Sequence, residues 1–152
     1  MNSARVLIAD GDRRFRSQLY TRLLDLDLFS DCVATANDAV EYLRDRTYGL
    51  VIVDLELPNG EGYAVLDELR LVANTSRPMV LVTASRDNQA SVDPDLVQII
   101  MRKPVRLADV ADMIRSCVGS TGGGDSVSRA AKSGDGAIDL SRGDQNGVGI
   151  VS

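Results

Sequence analysis

The sequence predicts a doubly wound α/β fold, a five-stranded parallel sheet flanked by helices. Two observations carry this. Short runs rich in β-branched residues alternate with longer segments of helical periodicity, and four of the five runs are almost continuously apolar, as strands buried on both faces are.

Taken in order, Val6-Leu7-Ile8-Ala9 forms the first strand, and Phe15, Leu19 and Leu23 mark the apolar face of a helix after it. Cys32-Val33-Ala34 is the second strand, followed by helical spacing at Val40 and Leu43. Leu50-Val51-Ile52-Val53 is the third, with Val65, Leu66 and Leu69 on the next helix. Met79-Val80-Leu81-Val82 is the fourth strand and Val97-Gln98-Ile99-Ile100-Met101 the fifth. A closing helix carries Val110, Met113, Ile114 and Cys117. Between Ala84 and Asp95 apolar periodicity is poor and Pro94 would interrupt a helix, so the fourth helix is expected to be short or irregular. From Gly119 the composition turns to Gly, Ser and Asp, which bury too little apolar surface to offset ordering entropy. The expected organisation is one domain over residues 1–118 and a flexible tail over 119–152. The tail's apolar tip, Val148-Gly149-Ile150-Val151, reads as a short binding peptide or, preferentially, as a disordered end.

Bulk properties narrow the function. At 152 residues the chain is one domain's worth, and 44% apolar with 26% charged residues is ordinary for a soluble globular protein. A net charge of -5, with seventeen basic residues scattered among twenty-two acidic ones, argues against a nucleic-acid partner. The first residues lack the basic and apolar regions of a signal peptide, and no apolar run approaches the roughly 20 residues that span a bilayer. No membrane partner and a cytoplasmic location are therefore expected. Cys32 and Cys117 have no metal-ligand spacing and read as buried small hydrophobes. The chain has no histidine, which excludes His-based triads and requires any phosphohistidine chemistry to use a partner's histidine.

Open parallel sheets gather ligands at the carboxyl ends of their strands, where this sequence puts its reactive groups. Asp10 follows the first strand, Asp54 the third, Thr83 the fourth and Lys103 the fifth. Singly, each has a structural explanation as a cap, a turn residue or a solvated charge. Together they place carboxylates, a hydroxyl and an ammonium where they can converge on one anion and one cation.

The stretch from Val51 to Gly62, with Asp54, Pro58 and Gly62 in Asp-x-x-x-Pro-x-x-x-Gly spacing, resembles the receiver domains of two-component response regulators, as do Val82-Thr83-Ala84 and Lys103-Pro104. The resemblance covers roughly Ala4 to Val118. It implies a flavodoxin-like strand order 2-1-3-4-5 and a signalling module rather than an enzyme. Asp54 would be the phosphoacceptor, attacking the phosphohistidine of a histidine kinase or histidine phosphotransfer protein, with output through an unidentified downstream protein. Asp10, Asp54 and the backbone carbonyl of Glu56 would hold Mg2+; Lys103 would pair with a phosphoryl oxygen and Thr83 would bond another. Ala84 would leave the approach clear, Gly62 would suit the turn opening the third helix, and Pro104 would follow a cis peptide bond. Arg13, Arg14, Arg16 and Ser17 would lie near the pocket as kinase contacts, although a solvated face explains them almost as well.

Two departures stand out. Gly11 occupies a position where the family usually carries a second acid, so Mg2+ binding is expected to be weak. Compensation would need Asp12, more naturally the N-cap of the first helix, or Glu56 through a water. Ile100 stands where an aromatic switch residue is usual, so any signal is read out differently. These features favour a second reading, a pseudo-receiver interaction module independent of phosphorylation. A third, a phosphatase of the haloacid dehalogenase type with Asp10 as nucleophile and Asp12 as acid/base, leaves the Asp54 motif unexplained and lacks the later metal-binding acids.

Overall fold

A computed structural model of the protein describes residues 5–85, 92–119 and 149–151. Its strands are β1 (Val6–Ala9), β2 (Ser30–Val33), β3 (Leu50–Asp54), β4 (Met79–Ala84), β5 (Ile99–Arg102) and β6 (Gly149–Val151). The helices are α1 (Arg13–Leu24), α2 (Ala36–Asp45), α3 (Gly62–Arg70) and α4 (Leu107–Gly119). All neighbouring strands run parallel, in the order β2-β1-β3-β4-β5-β6.

The alternation of strand side chains sorts the core into two layers. Leu7, Val51, Val53, Val80 and Val82 point to one face, where α2 and α3 cover them with Ala36, Ala39, Val65, Leu66 and Leu69. Ile8, Ile52, Leu81, Ile99 and Met101 point to the other, under Leu19 and Leu23 of α1 and Val110, Met113, Ile114 and Cys117 of α4. Each fully buried aliphatic side chain contributes about 1.5–3 kcal/mol of transfer free energy, so these layers hold the strand ends in register.

Side-chain oxygens fix the helix starts. Asp12 Oδ1 accepts from the amides of Arg14 and Phe15 at 2.9 and 3.3 Å, making it the N-cap of α1. Thr35 Oγ1 accepts from Asp38 N at 3.1 Å and caps α2 in the same way. Gly62 opens α3 because nothing larger fits: a Cβ there would lie 2.5 Å from the Asp54 carbonyl oxygen and from Leu55 Cα.

The five predicted strands are present in the predicted order, with shifted bounds. β2 begins at Ser30 rather than Cys32, and β5 begins at Ile99 because Val97 and Gln98 belong to the approach, where Gln98 Oε1 accepts from Val80 N at 2.7 Å. The expected fourth helix falls partly on residues 86–91, outside the described residues; the described remainder of that connection holds a turn at 94–96. The sheet also corrects one expectation. Gly149–Val151, read as a disordered tip, pairs with β5 as a sixth strand, whereas residues 120–148 of the expected flexible tail lie outside the described residues. Three alternating-free residues give no period to detect, and only the waiting edge of β5 makes them a strand. Among the described residues no helix is long and apolar enough to cross a membrane.

Candidate functional site

Parallel register delivers the reactive residues to one edge. Asp54 is the last residue of β3 and pairs with Thr83 of β4, which pairs in turn with Met101 of β5. Asp10 directly follows β1, and Lys103 directly follows β5 with its amide donating to the Ala84 carbonyl at 2.9 Å. The Lys103-Pro104 peptide bond is cis. Asp10, Asp12, Glu56, Thr83 and Lys103 border one cleft of about 530 Å3, whose apolar wall includes Phe15 and Val105.

Asp54 adjoins this cleft through Lys103 and Glu56: it is only 4% exposed and its Oδ1 accepts twice, from Lys103 Nζ at 2.8 Å and from Glu56 N at 2.8 Å. A buried carboxylate is tolerated when it is paired in this way. The Glu56 carboxylate takes a second bond from Lys103 Nζ at 3.1 Å and one from Ser85 N at 3.0 Å. Hydrogen bonding, from Ser85 foremost and then Lys103, holds the Glu56 carboxyl down at about 2 against the upward push of burial. Burial pushes the Lys103 ammonium toward neutrality, but its bonds to Asp54 and Glu56 outweigh this and raise its pKa.

Asp10 is differently placed. Its Oδ1 accepts from Asp12 N at 2.8 Å, and Arg16 Nη1 donates to its backbone carbonyl at 2.7 Å, tying the end of β1 to α1. Burial, the largest effect, together with the nearby Asp54 charge pushes its carboxyl up to about 6. The Thr83 hydroxyl is 1% exposed as a residue and has no hydrogen-bond partner among the described residues.

The structure therefore brings Asp10, Thr83 and Lys103 to one cleft, with Asp54 bonded to Lys103 at its edge, and adds features that sequence reasoning missed. The Glu56 side chain engages Lys103 and Ser85, where the sequence suggested a water-bridged route to a metal. Ser85 and Val105 carried no signal beyond lying near the strand ends, and Phe15 read only as part of the apolar face of α1. Asp12 spends its Oδ1 on the α1 cap, as expected, and so supplies no ready substitute for a side chain at Gly11. Ile100 is buried on the α2/α3 side, in the cluster with Leu96 and Val97.

Donors for a cation are all oxygen: the Asp10 and Asp54 carboxylates and the nearby backbone. Among the described residues no group of three or more His, Cys, Asp and Glu side chains could hold a metal. Magnesium is commonly held by one or two carboxylates plus waters and phosphate oxygens, so the set fits that ion with fewer protein charges than a three-acid pocket. The raised Asp10 supports the fit, since a buried carboxylate destabilised by a second one gains from a cation.

Comparison with known proteins adds a family-level finding: residues 6–115 match the response regulator receiver domain. The chain is 28% identical over 116 residues to the transcriptional regulatory protein PmrA of Pectobacterium parmentieri, covering 75% of this chain and 52% of that protein. Over 117 residues it is 28% identical to the regulator of RpoS of Escherichia coli K12, covering 74% of this chain and 34% of the relative. The chain thus spans about half or less of the length of these relatives. Among solved structures, a CheY-like receiver domain from Methylobacillus flagellatus superposes with a TM-score of 0.65 at 21% identity, over 76% of this chain and 99% of that one. The receiver domain of the sensor histidine kinase PA1611 from Pseudomonas aeruginosa PAO1, with a magnesium ion in its active-site cleft, gives 0.63 at 19% identity over 78% and 100%.

Proposed function

Because this chain belongs to the response regulator receiver domain family, we propose that Asp54 accepts a phosphoryl group from a phosphohistidine of a histidine kinase or histidine phosphotransfer protein, and that the phosphorylated chain signals through protein contacts. The observation that carries the proposal is the pairing of Asp54 Oδ1 with Lys103 Nζ at 2.8 Å beside a buried Thr83 hydroxyl that lacks a partner.

In the proposed step a carboxylate oxygen of Asp54 attacks phosphorus in line, the P–N bond to the partner's imidazole breaks, and the imidazole leaves with its electron pair and takes up a proton. The Asp54–Lys103 contact puts a positive charge where phosphoryl oxygens gather. The Glu56 amide already donates to Asp54 Oδ1 and fixes the carboxylate plane. Thr83 is the donor left over for a transferred phosphoryl oxygen. Asp10, Asp54 and the Glu56 carbonyl would hold Mg2+, which when bound neutralises charge on the transferring group.

A second reading, an interaction module independent of phosphorylation, is favoured by Gly11 and by the claim of Glu56 on the same lysine. Acetyl phosphate treatment with magnesium, followed by locating the label by mass spectrometry in wild type and Asp54→Asn, separates the readings. Label on Asp54, absent from the variant, is expected. Label on Asp10 with rapid turnover would point to a phosphatase, and none at saturating magnesium to the module.

A further inference from the structure

The two edges of the sheet are protected differently. At one, β2 carries Asp31, which is paired with Arg5 at 3.0 Å and Arg46 at 3.1 Å, and charge is a standard guard against edge-to-edge pairing. At the other, β5 presents Ile99, Ile100 and Met101, all buried and uncharged, ahead of its last residue Arg102, and the outer backbone of these three is taken by Gly149–Val151 in the register Ile99↔Gly149, Ile100↔Ile150 and Met101↔Val151.

The helix that precedes this strand lies on an unexpected face of the sheet. The crossover from β1 to β2 moves toward one edge with α1 on its face of the sheet, and those from β2 to β3 and β3 to β4 move the opposite way with α2 and α3 on the other face. These three connections therefore share one hand. From β5 to β6 the chain moves in the same direction as from β3 to β4, yet α4 lies on the α1 face. The described part of that connection, α4, therefore lies on the face that a crossover of the opposite hand would use. About 98% of parallel crossovers within a sheet are right-handed. A strand supplied by another molecule makes the same backbone contacts without a crossover of the disfavoured hand. Residues 120–148 can extend to roughly 100 Å, so their covalent length permits the exchange.

We propose that the outer edge of β5 is a strand-docking surface for a second copy of this chain, with the Gly149–Val151 segments exchanged between the two molecules. The exchange would join two receivers beside the strand that leads into Lys103. It requires no phosphorylation, so it stands or falls separately from the Asp54 reading.

Dilution of the full chain tests it without any mutation. A strand docked within one molecule works at an effective concentration on the order of millimolar and ignores dilution, whereas an exchanged strand is lost by mass action. Light scattering gives the mass, and hydrogen exchange of residues 149–151 gives the pairing, over about a hundredfold dilution. Dimer at high concentration, with mass and amide protection falling together on dilution, is the expected result. The double substitution Ile150→Pro/Val151→Pro removes two of the strand's three amide donors, at least one of which faces β5 because inward amides alternate, and Ile150→Lys adds an edge charge; both should leave a folded monomer. Protection that persists in a monomer, a dimer that survives both variants, or unprotected amides at every concentration each overturns the exchange.

Discussion

Lys103 Nζ sits 3.1 Å from Glu56 Oε1 while also bonding Asp54, so one ammonium serves both the proposed acceptor and the acid two residues beyond it. With its carboxyl held at about 2, Glu56 is charged at neutral pH, so it would repel the phosphoryl group proposed to enter and already engages the lysine proposed to receive it. Glu56→Gln removes that charge. At an effective dielectric of about 20 a neighbouring like charge is worth on the order of 1–2 kcal/mol, so labelling by acetyl phosphate should be roughly five- to thirtyfold faster. A rate equal to or below wild type would show that Glu56 does not compete for Lys103.

Restoring the missing acid is sterically simple. A Cβ at Gly11 meets Pro58 Cδ at 3.5 Å, ordinary van der Waals contact, so the backbone here accepts a side chain's first carbon. A third carboxylate at the cation site should tighten magnesium about tenfold or more, read by calorimetric titration of wild type and variant. Unchanged affinity would mean that the added carboxylate does not reach the ion.

The Thr83 hydroxyl, unpaired among the described residues, sets the proposed function against stability. Leaving a buried hydroxyl without a partner costs about 1–3 kcal/mol, so Thr83→Val should raise the urea midpoint by roughly 1 kcal/mol equivalent with an unchanged slope. The same variant loses the donor proposed for a phosphoryl oxygen, and its labelled form should be shorter-lived. Lower stability in the variant would indicate that the hydroxyl already has a partner in the resting protein.

The legible parts of this molecule are those written in local pattern. β1, β3 and β4 are buried on both faces, and their unbroken apolar runs could be read directly. The start of β2 escaped because Ser30 and Asp31 are polar residues on an edge strand, and Val97 was taken into β5 although it packs in the preceding approach. β6 could not be read at all, since its pairing depends on an edge formed by residues far away in sequence. The cleft divides in the same way: residue types at strand ends announced Asp10, Asp54, Thr83 and Lys103. The bonds from Lys103 and Ser85 to Glu56 depend on side-chain conformations and on where the β4–β5 connection begins.

Away from the cleft, Asp31 provides a test of the fold by pH. Tyr48 Oη donates to its Oδ2 at 2.6 Å, Arg46 Nη1 to the same oxygen at 3.1 Å and Arg5 Nη1 to Oδ1 at 3.0 Å. Burial alone would push this carboxyl up, but the Tyr48 bond and the two guanidinium groups outweigh it, and the pKa lies below the ordinary 3.8. A depressed folded-state pKa means that the native form binds the proton less readily than the unfolded chain. The contribution is therefore present in full above 3.8 and is lost as pH falls through the lower folded value. Asp31→Asn should cost about 1 kcal/mol at neutral pH, the modest size reflecting arginines that remain partly in solvent. In urea unfolding the gap between variant and wild type should narrow below 3.8, because acid removes from wild type the charge that the substitution has already removed. A gap that stays constant from neutral pH to strong acid would place the stabilising contribution in packing rather than in the carboxylate's charge.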